Sequence, residues 1–246
     1  GLHALEANFY LAQLYYAEGS ETKSVSNYQF VIEQPRSEFT EQALNRLAQI
    51  HLKAKDCDKA IPVLVRLESE ADYPQNKNFA QANLMKCYYD KKDYDNSVIA
   101  AEKVLANPKS DANVKADAQI IVARAAIQTG NEDKAKTAYA KLSTTSIGEL
   151  AAEALYYDAY FKNKEGKFDA SNKAVEKYSS TYSGYKYFGA KSLLVMAKNY
   201  YGLKDSFQAT EILQSIIDNF AEFTDVVTEC QTELDAIKAE EAKTNS

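Results

Sequence analysis

Leu84-Met85-Lys86-Cys87-Tyr88-Tyr89-Asp90-Lys91-Lys92-Asp93-Tyr94-Asp95-Asn96-Ser97 carries the reading of the whole chain. Apolar residues before Lys92-Asp93 recur at helical spacing, the Lys-Asp pair is a turn, and a second helical pattern opens at Tyr94. Two antiparallel helices joined this tightly bring their axes to roughly 8–10 Å, so a large side chain at the crossing would hold them apart. Met85 and Ser97, twelve apart around the turn, mark that crossing.

The same frame recurs outward at Gly19-Ser20, Lys55-Asp56, Gly130-Asn131, Gly166-Lys167 and Lys204-Asp205, in steps of 36, 37, 38, 36 and 38 residues. Seven residues before each turn stand Ala12, Ala48, Met85, Ala123, Ala159 and Ala197; five after it stand Ser24, Ala60, Ser97, Ala135, Ser171 and Ala209. Eleven of these twelve are Ala or Ser. Each unit therefore reads as a helical hairpin, at about 4–34, 40–71, 78–107, 111–143, 148–181 and 186–219. Pro35, Pro74 and Pro108 fall in the links, and Pro62 is placed in the first turn of its helix, where a missing N–H is tolerated. Beyond the array, Val227, Cys230, Leu234 and Ile237 form one apolar stripe, with Glu229, Glu233, Asp235 and Lys238 facing water. That pattern predicts a terminal capping helix over 222–241 and a tail over 242–246, after a repeat region spanning 1–221.

Composition agrees with an all-helical chain: eight Gly and four Pro in 246 residues leave few breakers. A net charge of −6 disfavours nucleic acid and anionic lipid as partners. No apolar run approaches the roughly 18 residues of a membrane span, so no part of this segment is expected to insert. Cys57, Cys87 and Cys230 are odd in number, widely spaced and without a C-x-x-C pair. They read as small apolar core residues rather than as a disulfide framework or a zinc site, and they leave the compartment open. The chain opens on Gly1 and enters a helical pattern at Leu2 with no cap before it, which reads as the trimmed edge of a longer polypeptide.

The pattern of small residue, turn, aromatic and small residue resembles the tetratricopeptide repeat over nearly the whole chain. It stands out in Leu84 to Ser97 and in Gly166-Lys167-Phe168-Asp169-Ala170-Ser171, and it recurs in Leu11-Ala12 with Tyr15, Leu47-Ala48, and Met196-Ala197 with Tyr200. Ala126 and Lys162 replace the usual aromatic, and Asp158 an apolar residue. The resemblance implies a right-handed α-solenoid of six helix-turn-helix repeats that works as a non-enzymatic protein-binding scaffold without a cofactor. Units longer than the family's 34 residues, and the link Tyr182-Ser183-Gly184-Tyr185, are similar to envelope members associated with outer-membrane assembly or Tol-Pal. That likeness favours a periplasmic or outer-membrane-associated setting in a bacterium, with the cytoplasm as the alternative.

Chemistry finds little to use. His51 is the only histidine clear of the chain start, no phosphate-cradling or H-E-x-x-H string occurs, and the carboxylates fall on turns and the tail. Neither a catalytic residue nor a metal ligand is expected. Eighteen tyrosines without a tryptophan divide between core columns (Tyr15, Tyr88, Tyr94, Tyr139, Tyr200) and the face that the family turns toward a partner. Transferring that first-helix face selects Phe9, Gln13 and Tyr16, then Asn45 and Gln49, Lys86 and Tyr89, Arg124 and Gln128, Tyr156 and Tyr160, and Lys198 and Tyr201. Aromatic anchors mixed with amides and cations are what hold a peptide or partner protein. The family's carboxylate clamp is not matched, since Phe9, Gln13, Arg46, Phe79 and Asn83 supply one cation. The alternative is self-association through the first hairpin, motivated by Leu2, Leu5, Phe9 and Ala12.

Overall fold

A computed structural model describes residues 1–244, apart from the Leu2 side chain. Asn245 and Ser246, the end of the expected tail, lie outside the described residues. Among those residues there are thirteen α-helices and no strand. The chain falls into two compact units, Gly1–Asn131 and Glu132–Ser246, so the repeat region read over 1–221 is divided at its fourth turn.

The first unit holds α1 (Leu2–Ala17), α2 (Glu21–Glu33), α3 (Thr40–Lys53), α4 (Cys57–Glu70), α5 (Pro74–Asp90), α6 (Tyr94–Ala106) and α7 (Ala112–Gln128). Within it, α1 pairs with α2, α3 with α4 and α5 with α6, and each second helix also packs on the next first helix. The second unit holds α8 (Glu132–Thr145), α9 (Gly148–Lys164), α10 (Phe168–Thr181), α11 (Lys186–Gly202), α12 (Ser206–Asn219) and α13 (Thr224–Thr244). There α9 pairs with α10 and α11 with α12, while α8, α10 and α12 pack on the first helix that follows each of them.

None of the twelve residues that the sequence places at crossings is more than 1% exposed. Where serine occupies the second helix, its hydroxyl donates to the carbonyl of the facing residue: Ser24 Oγ to Ala12 at 2.9 Å, Ser97 Oγ to Met85 at 2.8 Å and Ser171 Oγ to Ala159 at 2.7 Å. A buried hydroxyl costs free energy unless it is bonded, and these bonds remove that cost while keeping the side chain small.

The six turns close in one way. Gly19, Lys55, Lys92, Gly130, Gly166 and Lys204 all have positive φ, between 56° and 78°. The next residue's N–H returns to a carbonyl five residues back, as in Asp93 to Tyr88 and Asp205 to Tyr200, both 2.9 Å. This is the Schellman closure, in which the left-handed residue costs least when it is glycine. Three lysines adopt the conformation against their intrinsic preference. Lys92→Gly should therefore raise the stability of the first unit by about 0.5–1 kcal/mol, and Gly19→Lys should lower it by a similar amount, read from urea midpoints. Asp56, Asp93 and Asp205 then cap the following helix by accepting from the N–H three residues on.

Four expectations change. Pro62 is the sixth residue of α4, one turn further in than read, so it removes an internal N–H donor. Pro74 begins α5 at the position where proline is favoured, instead of standing in the link. On α13 the buried stripe is Val226, Cys230, Leu234 and Ile237, with Val226 taking the place assigned to Val227.

The cysteines are the larger correction. Cys57 and Cys87 form a disulfide, with 5.4 Å between their Cα atoms, and Cys230 alone is a free, buried thiol. Cys57 opens α4, and Cys87 stands on the face of α5 that packs against α4. Thirty residues of separation along the chain therefore become direct contact in space. Burial pushes the Cys230 thiol up to about 11, so it is unreactive near neutral pH.

Candidate protein-binding face

The positions selected from the sequence lie on α1, α3, α5, α7, α9 and α11, and burial sorts them by column. One residue after each crossing stand Gln13, Gln49, Lys86, Arg124, Tyr160 and Lys198, none of them buried. Three residues before it stand Phe9, Asn45 and Tyr156, and this column is the shoulder of the helix. Asn45 stays partly exposed there, whereas Phe9 is 3% and Tyr156 6% exposed. Large apolar groups at the shoulder turn into the core: Phe9 packs on Phe39 at 4.8 Å, and Tyr156 on Phe188 at 5.4 Å. Phe9 and Tyr156 therefore leave the candidate surface. Leu5, Phe9 and Ala12, which motivated self-association, are all buried.

In the first unit the remaining residues join in one side-chain relay. The Arg46 guanidinium lies 5.2 Å over the Tyr16 ring and donates to Gln49 Oε1 at 3.0 Å. Gln49 Nε2 donates to Asn45 Oδ1 at 2.6 Å, Asn45 Nδ2 to Asn76 Oδ1 at 2.9 Å, and Asn76 Nδ2 to Glu41 Oε1 at 2.7 Å. Glu41 ends the relay by accepting from the backbone N–H of Asp72 and Tyr73. The relay lines a cleft of about 560 Å³ that also takes in Arg36, itself paired with Asp72 at 2.7 Å. Sequence reasoning missed Glu41, Arg46 and Asn76 as members. Glu41, Asn45 and Gln49 follow one another at four-residue spacing, a signal that does place them on one helix face.

Further along the same unit, Lys86 pairs with Asp117 at 2.6 Å, and Tyr89 stands edge-on to Tyr94 at 5.5 Å. Arg124 is partly buried and Gln128 exposed.

In the second unit, residues expected to await a partner are engaged by neighbouring helices. Lys198 binds Glu229 at 2.6 Å and Glu233 at 3.5 Å on α13, and the Tyr201 hydroxyl donates to Glu240. Burial alone would lower the Lys198 ammonium, yet the two carboxylates outweigh it and its pKa lies above the ordinary value. Tyr187 donates to Asp225 at 2.7 Å; that bond pushes the phenol up to about 12 and holds the carboxyl below its usual range. Lys191 sits over the rings of Tyr156, Tyr187 and Phe188 at 4.9–5.7 Å, and burial lowers its pKa. Lys164 covers Tyr160 at 5.6 Å.

His51 is half-buried on α3, and burial depresses its pKa, in keeping with a packing role. No group of three or more metal-ligating side chains occurs among the described residues. No helix among them is long and apolar enough to cross a membrane.

The tetratricopeptide repeat family model matches residues 191–222. No curated protein matches the chain in sequence. Among solved structures, the MamA protein is similar with a TM-score of 0.56 and 18% identity, over 73% of this chain and 91% of that one. A tetratricopeptide repeat protein from Parabacteroides merdae ATCC 43184 has a TM-score of 0.52 and 12% identity, covering 93% and 99%. PilW, a widely conserved type IV pilus biogenesis factor, has a TM-score of 0.50 and 18% identity, covering 92% and 97%. At such identities the likeness is one of fold alone. The family-model match covers most of α11 and all of α12, and the likeness to the solved structures is one of all-helical repeat fold.

Proposed function

We propose that the chain is a non-enzymatic scaffold that binds an extended segment of a partner protein on the first-helix face of its first unit. The observation that carries this reading is the relay from Tyr16 through Arg46, Gln49, Asn45 and Asn76 to Glu41 along the cleft. Each carboxamide offers two donors and two acceptor lone pairs, and the relay uses only part of them. What is left matches the alternating C=O and N–H groups of a peptide backbone. Because the side chains already hold one another, binding orders few rotamers, and the entropic cost of association falls.

A photo-crosslinking residue at position 49 tests this in cells of the source organism. Adducts with another protein are expected from position 49 and not from Ile99, which is exposed on α6. Arg46→Ala should cut the yield from position 49 by about tenfold, as expected for the loss of an interfacial arginine anchor. Equal yields from 49 and 99, or no adduct at 49 with the helical spectrum intact, would sink the reading.

The disulfide supports an oxidising compartment, consistent with the bacterial periplasm, because such bonds persist where thiols are not kept reduced. An envelope role in an assembly resembling the Tol-Pal or outer-membrane systems belongs to the same proposal.

A further inference from the structure

The crossing residues set all first helices in one register, and α9 departs from it in two columns. One residue before the crossing stand Leu47, Leu84, Val122 and Met196, and three residues after it His51, Tyr88, Ala126 and Tyr200. In the same places α9 carries Asp158 and Lys162. Leu84 is 2% exposed and, with Tyr88, belongs to the core that α4 and α5 share. Asp158 and Lys162 instead pair with each other at 2.7 Å, both side chains reaching the surface.

The facing helix changes in step. Counted from its turn, α8 has Lys136 and Ala140 where α4 has Ile61 and Val65. Both helices have therefore lost apolar bulk at one interface, where protein interiors are otherwise close-packed. A cleft of about 210 Å³ opens there over Tyr139, Ala154 and Phe161, each at most 5% exposed. Its floor is fixed, since Tyr139 stacks on Tyr157 at 4.1 Å and donates to Glu153 at 2.8 Å.

Charge and size select the ligand. Lys136, Lys162 and Lys167 line the cleft with Asp158 and Glu165. Lys136 and Lys167 both pair with Glu165 and hold its carboxyl at about 2, so three ammonium groups stand against two carboxylates in a chain of net charge −6. Sites for drug-sized molecules and cofactors run from about 300 to 1,000 Å³, so a cleft of this size suits one large side chain.

We propose that the α8–α9 cleft is a docking site for an aromatic side chain of a partner protein flanked by acidic residues. The ring would enter the space that Leu84 and Tyr88 fill at the α4–α5 interface, and the carboxylates would meet the lysines of the rim. Because the floor is already ordered, little receptor entropy is lost on binding. The cleft shares no residue with the relay of the first unit, so each reading can fail alone.

Titration of ¹⁵N-labelled protein with the peptide acetyl-Glu-Tyr-Glu-amide tests this. Saturable amide shifts are expected in 136–143 and 154–165, in the millimolar range that one buried side chain gives. Acetyl-Lys-Tyr-Lys-amide, with the same ring and the opposite charge, should bind at least about tenfold more weakly. Asp158→Leu/Lys162→Tyr, which restores the pair of α5, should abolish the shifts. Ala140→Phe, which plugs the cleft from an exposed position, should do the same and decides the matter if the double variant does not fold. The relay variant Arg46→Ala should leave them unchanged. Absent binding, equal affinity for the two tyrosine peptides, or binding that survives in a folded filling variant overturns the proposal. So does micromolar binding of free 4-hydroxyphenylacetate without binding of the peptide, since the cleft would then take a small molecule.

Discussion

Reducing the Cys57–Cys87 disulfide is expected to lower the stability of the first unit by about 3–4 kcal/mol, the loop-closure entropy that a cross-link over some thirty residues removes from the unfolded chain. The bond ties the start of α4 to the last turn of α5, so it joins the second hairpin to the third. Helical repeats contact only their neighbours, and the weakest interface between hairpins sets where an array opens. A covalent link across one such interface therefore suppresses local opening there, beyond its effect on the chain as a whole. In thermal unfolding the midpoint of the transition involving α4 and α5 should fall by roughly 10 °C in dithiothreitol. The double variant Cys57→Ala/Cys87→Ala should show the lowered midpoint without reductant and no further response to it. Three free thiols in the oxidised protein, or a midpoint shift below about 2 °C, would remove the disulfide from the account.

That bond also marks where the sequence stopped being informative. The hairpins were legible because one physical requirement, close approach at a crossing, recurs every 36 to 38 residues and selects Ala or Ser at eleven of the twelve positions. Ends of helices were legible too, since Gly19, Gly130 and Gly166 announce the left-handed turn. Lys55, Lys92 and Lys204 adopt it without that signal and were found only through the period. The disulfide was missed because no rule of spacing along the chain pairs cysteines thirty apart. The register of α4 against α5 does so, and register is a tertiary property.

For the binding face, helix identity carried over from the pattern and orientation only partly. Asn45 and Tyr156 share a column, yet the amide stays at the surface and the aromatic is drawn inward, because burying the ring is favourable whereas burying the amide unpaired is not. Lys198 and Tyr201 were assigned to the partner-facing side, and α13 already engages them. Glu229 and Glu233 on α13 were read as facing water; they remain at least partly exposed and also pair with Lys198, while Glu240 accepts from Tyr201. Cap and face are thus one structure in the second unit, which is why the relay in the first unit carries the proposed function.

Ser97→Leu is expected to destabilise the first unit by about 3 kcal/mol, of which the lost hydrogen bond to Met85 accounts for about 1 and overpacking for the rest. Ser97 is fully buried where α5 and α6 cross, and its hydroxyl reaches the Met85 carbonyl at 2.8 Å. A leucine there has no cavity to enter. Either the two axes separate, loosening Leu84 and Val104 on both sides of the crossing, or the side chain leaves its preferred rotamer. Ser97→Ala separates the two contributions, because it keeps the crossing small and removes only the bond; its cost should stay near 1 kcal/mol. Urea denaturation of the three proteins gives the energies, and amide exchange shows whether the loss centres on α5 and α6. If leucine cost no more than alanine, close approach would not be what selects a small residue at this position, and the physical basis for the six-fold recurrence of Ala and Ser would have to be sought elsewhere. If instead the leucine penalty is about three times that of alanine, helix approach is the constraint, and the same substitution at Ala60 or Ala209 should carry the packing part of the cost without the hydrogen-bond part.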